Sequence, residues 1–208
     1  MCSEEKVKQF YVKHLESKIH TIEDPAELLL VALKLAWNDA MSYEIRFNEE
    51  GSLNKHTEDI LEECKKSEKL SIFTDNNCSA VDNFHLINDK HKEWNMRIGV
   101  WQKFQNMTLK YLRCCQGNCS ININEIINIK DWAQCECPID TKIAKTLYRK
   151  ALDDEKAEIA WKVATSVREF SWNFFSEETY TEMQNMIREY CSKYDIIGPL
   201  FFDFEYWE

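Results

Sequence analysis

The chain has 208 residues and a formal net charge of -10, with 44% apolar and 30% charged residues. A chain of that length can bury a core without disulfide support, and its apolar content excludes an intrinsically disordered protein. It contains only four glycines and three prolines, which is typical of a helix-rich fold. The acidic total argues against a general nucleic-acid coat, because phosphate binding depends on Lys and Arg.

The hydrophobic periodicity predicts helices along almost the whole chain. Asp24-Pro25 is an N-cap followed by proline at the first helical position, and the helix that it opens, to about Tyr43, is apolar nearly all round. We therefore expect this helix to be central, whereas the later helix at 101–115 is predicted to bury one face. Further helices are predicted over about 3–15, 57–69, 80–96, 140–152, 154–175 and 176–192.

Two segments depart from the helical pattern. The alternation SININEIINI, within residues 116–137, fits either a short strand or a loop with apolar anchors. The tail IIGPLFFDFEYWE is too aromatic for solvent and is predicted to pack against the rest of the protein. Because no repeat or linker divides the sequence, we expect one all-α domain over residues 1–208, or two closely packed helical lobes.

The cysteines and histidines predict no metal site. Nine cysteines lack the spacing of a secreted disulfide framework, and no signal peptide or membrane span is apparent, so we expect a cytoplasmic protein without a membrane partner. Five of them cluster in the middle of the chain: Cys114, Cys115, Cys119, Cys135 and Cys137. This cluster lacks CxxC pairs, so small buried thiols explain it better than zinc. The histidines show no metalloenzyme spacing, and no cofactor is predicted.

The charge is uneven along the chain. Residues 97–150 contain nine Lys or Arg against four Asp or Glu, a local charge of +5. A basic middle in an acidic protein is compatible with a local polyanion site and equally with solvated helix faces.

The basic middle includes a lysine near a predicted helix start. Gly99 is expected to form a turn just before the helix, where backbone N–H groups at the positive end of the dipole bind phosphate. Lys103 would then lie on the first turn, where the dipole and burial disfavour the ammonium form and favour an amine nucleophile. Asp140 is the candidate to accept its proton, and Lys110 is the alternative nucleophile. The ordinary interpretation is an exposed lysine and an N-cap aspartate.

The pattern Gly99-Val100-x-x-Lys103, followed by an apolar helix and by Pro138-x-Asp140, resembles the helix-hairpin-helix DNA glycosylases. The resemblance is greatest to the 8-oxoguanine type, including its archaeal branch. It implies that Lys103 attacks C1′ of a flipped nucleotide to form a Schiff base, and that Asp140 assists.

The same resemblance implies an all-α fold of glycosylase type, with its hairpin and active-site segment at about 97–150. The implied partner is duplex DNA with one flipped base. The residues expected to contact the DNA are Gly99, Val100, Trp101 and Lys142.

The resemblance covers about residues 99–147, a quarter of the chain. Trp101 replaces the second hairpin glycine of the family, and the insertion before Pro138 is longer than in the 8-oxoguanine enzymes. Only Cys191 lies where the iron–sulfur branch has four cysteines, so no such cluster is expected.

A second interpretation stays open. The segment QKFQNMTLKYL also resembles uncharacterised bacterial and phage proteins. The chain would then be a non-enzymatic acidic helical interaction or regulatory protein of bacterial or phage origin, whose acidic faces bind a basic protein partner or mimic the charge of DNA. In that case Lys103 and Asp140 are only helix-end residues.

Overall fold

The computed structural model describes residues 3–41, 57–66, 79–94, 96–127, 129–153, 172 and 175–206. Across these residues the architecture is all-helical and contains no strand, as predicted. The α-helices are α1 (Ser3–His14), α2 (Glu16–Ile19), α3 (Pro25–Met41), α4 (Thr57–Lys66), α5 (Ala80–Lys90), α6 (Ile98–Cys115), α7 (Thr141–Asp153), α8 (Glu177–Lys193) and α9 (Pro199–Tyr206). Short 3₁₀ turns cover Lys92–Trp94, Ile123–Glu125 and Trp132–Gln134.

Side-chain caps explain where several of these helices begin. Pro25 is the first residue of α3, and Asp24 Oδ1 accepts a hydrogen bond from the Ala26 backbone N–H at 3.1 Å. Ser176 Oγ accepts from the Thr179 backbone N–H at 3.1 Å and starts α8. Both starts agree with the sequence pattern, because a short polar side chain there satisfies a backbone donor that has no helical partner.

The helix buried on all sides is α6. Every residue from Ile98 to Cys115 is buried, and α3, α5 and α1 pack against this helix. The expectation that α3 is the central helix is wrong, because α3 exposes one face that includes Lys34 and Asn38. The expectation of a single buried face on α6 is wrong as well, since its polar face is covered by other parts of the chain.

The loop after α6 and the C-terminal tail complete the core. The segment predicted as a strand or an anchored loop is a loop, with Ile121, Ile123, Ile127 and Ile129 buried. The tail forms α9, which packs against α1 and α8 and buries the run 199–204, as predicted. It approaches the Trp132–Gln134 turn so closely that a Cβ on Gly198 would lie 2.3 Å from the Ala133 carbonyl oxygen.

The buried apolar residues of the described helices form one contiguous core. The predicted helix at 154–175 lies outside the described residues except for Trp172 and Phe175, which are both buried. None of the described helices combines the length and the apolar content needed to cross a bilayer.

Candidate functional site

Lys103 and Asp140 lie together although 37 positions separate them in the sequence. Lys103 Nζ donates to Asp140 Oδ2 at 2.6 Å. The Lys103 side chain is 7% exposed and the Asp140 side chain is 26% exposed. The pair therefore joins an almost buried amine to a carboxylate that reaches the surface.

Asp140 is positioned by the start of α7. Its Oδ1 accepts hydrogen bonds from the backbone N–H groups of Lys142 and Ile143, each at 2.9 Å, so the residue is the N-cap of this helix. One carboxylate oxygen thus caps α7 and the other faces Lys103. The two roles considered for Asp140, helix cap and partner of the amine, are compatible in one geometry.

The charge of Asp140 is stabilised by its neighbours. Burial acts to raise the pKa of this carboxyl, but the Lys103 ammonium and the N–H groups of Ile143 and Lys142 outweigh it and hold the pKa below its usual value. Asp140 is therefore ionised near neutral pH and forms an ion pair with the Lys103 ammonium.

Lys103 is positioned differently from the prediction. Helix α6 begins at Ile98 after the extended residue Arg97, so Gly99 lies inside the first turn and Lys103 is the sixth helical residue. The predicted glycine turn before the helix is wrong. Because the effect of the helix dipole falls off within the first turn, Asp140 and not the dipole is the main electrostatic influence on Lys103.

The residues expected to contact DNA are not all at the surface. Gly99 is buried, and Val100 and Trp101 are each 0% exposed. The Trp101 ring packs edge-on against Phe104, with centroids 5.7 Å apart. Lys142 is the one residue of this set whose side chain is exposed.

Gln102 holds the chain leading to Asp140. Its Nε2 donates to the Ile139 carbonyl oxygen at 2.8 Å and to that of Gly99 at 3.0 Å. Its Oε1 accepts from the Ile139 backbone N–H at 3.1 Å. Since residues 135–139 are buried and lie outside any helix, these polar backbone groups need partners inside the protein. Gln102, which precedes Lys103, thereby positions Ile139, which precedes Asp140.

Gln184, on α8, bonds the backbone of Cys137 in the same way, two residues before Ile139. Its Oε1 accepts from the Cys137 backbone N–H at 3.1 Å, and its Nε2 donates to the Cys137 carbonyl oxygen at 2.7 Å. The Cys135 carbonyl oxygen accepts from the Leu200 backbone N–H at 3.1 Å. Alternate residues of the buried segment are therefore bonded, as along one edge of a strand.

A buried glutamate extends this network. Glu136 Oε2 accepts from the Tyr180 hydroxyl at 2.6 Å and from the Ala80 backbone N–H at 2.9 Å. Its Oε1 accepts from Arg188 Nη2 at 3.0 Å. The Tyr180 hydroxyl in turn accepts from Asn106 Nδ2 at 2.9 Å. Helices α5, α6 and α8 are thus tied to the same segment.

A second lysine–aspartate pair lies on the same side of α6. Lys110 contacts Asp203 of α9, with side chains 0% and 1% exposed. Burial raises the pKa of Asp203, whereas the Lys110 and Lys103 ammonium groups act to lower it. Lys110, the alternative nucleophile, is consequently buried in the core in an ion pair with Asp203.

Sequence reasoning missed the two glutamines and the second pair. One signal was present for the pair: Asp203 stands among Phe201, Phe202 and Phe204 in a tail that was itself predicted to be buried. An acid in such surroundings requires a cation or a proton. Nothing comparable marked Gln102 or Gln184, because the groups that they bond in the segment 135–139 are backbone groups.

The cysteines whose side chains the structure describes are all free thiols: Cys114, Cys115, Cys119, Cys135, Cys137 and Cys191. Burial raises the pKa of Cys137 well above its usual value and that of Cys191 to about 12. In the part of the chain that the structure describes, no group of three or more His, Cys, Asp or Glu side chains is placed to hold a metal ion.

Acidification is expected to remove the stabilising contribution of the Lys103–Asp140 pair. The folded-state pKa of Asp140 lies below its unfolded value of about 3.9, so the contribution is present above that pH and is lost as the pH falls through the folded pKa. Urea unfolding of the wild type and of Asp140→Asn from about pH 6 to about pH 2.5 measures it. The difference in free energy should shrink below about pH 4. A constant difference across the range would contradict this assignment.

Comparison of the chain with protein-family models, with curated proteins and with solved structures finds no match. Function must therefore be argued from the site itself.

Proposed function

We propose that the protein is a DNA glycosylase-like enzyme that excises a damaged or modified base, of the 8-oxoguanine type, through Lys103 with the help of Asp140. The observation that carries the proposal is the contact of 2.6 Å between Lys103 Nζ and Asp140 Oδ2. An amine nucleophile needs a base or carboxylate within hydrogen-bond reach, and this pair meets that requirement. The free thiols of the described residues support a cytoplasmic location.

The proposed chemistry begins with a proton transfer. Lys103 gives one ammonium proton to Asp140, and the neutral amine forms a bond to C1′ of a nucleotide flipped out of the duplex. The bond from C1′ to the base breaks, and the base leaves with the electron pair and with the proton that Asp140 received from Lys103. Opening of the sugar ring gives a Schiff base. Loss of a C2′ proton and cleavage of the C3′–O bond then nick the strand.

Borohydride trapping tests the proposal, because reduction makes a Schiff base permanent. Duplexes carrying 8-oxoguanine, uracil or an abasic site should give a covalent adduct with the wild type and none with Lys103→Arg. Arginine keeps the charge beside Asp140 but is not deprotonated in proteins, so this variant separates lost chemistry from lost folding. Lys34→Ala, which removes an exposed lysine on α3, is the matched control and should trap like the wild type.

Two results would overturn the proposal. One is the absence of any adduct on all three duplexes with folded wild-type protein. The other is an adduct of undiminished yield with Lys103→Arg, which would place the reacting amine elsewhere.

A second candidate function is a non-enzymatic acidic helical interaction or regulatory protein. The buried Lys110–Asp203 pair favours it, because the same helix uses a lysine–aspartate contact purely within the core. In this interpretation Lys103 and Asp140 join α6 to α7 in the same way. Such a protein traps no DNA under borohydride while remaining folded, and its net charge of -10 suits a basic protein partner.

A further inference from the structure

The turn that ends α6 brings two cysteines together. Helix α6 ends at Cys115, and Gly117 follows in the left-handed region with a φ of 75°. Glycine adopts this conformation readily, and it reverses the chain after a helix. The backbone N–H of Cys119 then donates to the Cys115 carbonyl oxygen at 3.1 Å, which closes the turn between the two cysteines.

The two thiols of this turn interact directly. The Cys115 and Cys119 side chains are hydrogen-bonded to each other, and Cys119 Sγ also donates to the Ile121 carbonyl oxygen at 3.7 Å. Residues four apart in a helical turn have Cα atoms about 6 Å apart, within the range of about 4.4–6.8 Å that disulfides need. A Cβ on Gly117 would have no neighbour within 4 Å, so the turn has room to adjust as the sulfurs approach.

The two cysteines differ in exposure, and this difference gives them different chemical roles. Cys119 is partly exposed, whereas Cys115 is 1% exposed. Burial, together with the neighbouring Cys119, raises the pKa of the Cys115 thiol. A reagent in solution therefore reaches Cys119 first, and Cys115 is placed to react with the product at Cys119.

Cys114 is the neighbour of Cys115 in sequence but is directed elsewhere by the fold. Its side chain is 0% exposed, and burial raises the pKa of its thiol. The charged groups that act on Cys114 are Lys110, Arg113 and Asp203, which belong to the core around the second ion pair. The fold thus favours Cys115 over Cys114 as the partner of Cys119.

We propose that Cys115 and Cys119 form a redox-active dithiol that a hydroperoxide oxidises to an intramolecular disulfide. The Cys119 thiolate attacks one oxygen of the hydroperoxide, the O–O bond breaks, and a sulfenic acid and an alcohol are formed, or water from hydrogen peroxide. The Cys115 sulfur then displaces hydroxide from the Cys119 sulfur, and the Cys115 proton converts the hydroxide to water. Two thiols lose two electrons and two protons, and the hydroperoxide gains them. The reaction uses no residue of the proposed DNA chemistry.

One tryptic peptide reports this reaction in the full-length protein. Trypsin cleaves after Arg113 and after Lys130, so the peptide 114–130 carries Cys114, Cys115 and Cys119. The folded, reduced protein is treated with hydrogen peroxide, the remaining thiols are alkylated with N-ethylmaleimide, and the digest is analysed by tandem mass spectrometry. The peptide should lose two hydrogen atoms and carry one alkyl group, on Cys114, whereas the untreated peptide carries an alkyl group on each cysteine.

The same treatment in urea separates the effect of the fold from closeness in sequence. In the unfolded chain Cys114 and Cys115 are both available to Cys119, so a mixture of the two disulfides is expected. The variant Cys119→Ser should give no disulfide in this peptide. Cys191→Ser, which replaces a buried thiol on α8, is the matched control and should react like the wild type. Thermal unfolding checks that both variants are folded.

The position of the alkyl group decides the result. A disulfide between Cys115 and Cys119 that forms selectively in the folded protein and is reversed by dithiothreitol supports the proposal. Full alkylation after a peroxide treatment that oxidises free glutathione overturns it. Oxidation of Cys119 to a sulfinic acid with Cys115 still alkylated overturns it as well, and so does the same mixture of disulfides in the folded protein as in urea.

Discussion

Replacing Asp203 by leucine is expected to lower the free energy of unfolding by about 3–5 kcal/mol, the usual cost of breaking a buried ion pair by removing one partner. The Lys110 and Asp203 side chains are 0% and 1% exposed. Without the carboxylate, the ammonium would stay in the core between Phe10 and Phe204, whose ring centroids lie 4.0 Å and 5.1 Å from Lys110 Nζ. Cation–π attraction offsets only part of that cost.

Urea unfolding measures this loss of stability, and two further variants serve as a rescue and as a control. The double variant Lys110→Met with Asp203→Leu should recover most of the lost stability, because it removes both charges and fills a similar volume. Lys90→Ala breaks the Lys90–Glu63 pair, whose side chains are 59% and 25% exposed, and should cost less than about 1 kcal/mol. If Asp203→Leu were as mild as Lys90→Ala, the buried pair would not stabilise the fold as argued.

Gln102→Ala should lower the free energy of unfolding by about 2–6 kcal/mol. The variant leaves both the N–H and the carbonyl of Ile139 without their side-chain partner inside the core. A buried polar group that loses its partner costs about 1–3 kcal/mol, and here two groups are affected. A typical domain is stable by only about 5–15 kcal/mol, so the loss is a large fraction of the total.

Urea unfolding and amide hydrogen exchange provide the two measurements for this variant. Exchange at the Ile139 amide should accelerate more than exchange in α3, because the segment before Asp140 loses its anchor to α6. Gln184→Ala should behave similarly through Cys137. Gln134→Ala is the control, since this glutamine is exposed and its side chain bonds only Asp131, at 3.3 Å, among the residues that the structure describes. Equal stability of Gln102→Ala and Gln134→Ala would refute the role of the buried amide.

Stability measurements report on the fold and do not distinguish the two candidate functions. The lysine–aspartate pairs can both stabilise the protein whether or not Lys103 reacts with DNA. Only the trapping experiment distinguishes a reactive amine from a structural one, and for that reason the Lys103→Arg variant, which keeps the charge, is the decisive comparison.

Local sequence signals predicted the helical elements well. The Asp24-Pro25 start of α3 and the Asp140 cap of α7 were readable because a cap depends on residues within three positions of each other. The aromatic composition of the tail predicted its burial for a similar reason, since hydrophobicity is a property of the segment itself. The end of α5 was predicted less well: the helix stops at Lys90 and a 3₁₀ turn follows.

The identity of the central helix depended on tertiary structure. In sequence, α3 is the more apolar helix, and α6 carries Gln102, Lys103, Asn106 and Lys110 at spacings that are typical of a solvent-facing side. Packing reverses that expectation, because the segment 135–140 and helices α8 and α9 bring amide, carboxylate and hydroxyl partners to those positions. A polar face can be buried once each group has a partner.

The sequence by itself determined an all-helical protein, the start of α7 at Asp140 and the candidate pairing of that residue with Lys103. Only the tertiary structure decided that the two side chains meet at 2.6 Å, that Gly99 lies inside the helix, and that Lys110 is paired with Asp203 in the core. The physical reason is the range of the interactions. Capping and hydrophobic periodicity act within a few residues, whereas these contacts join positions that are distant along the chain and are set by the packing of whole helices.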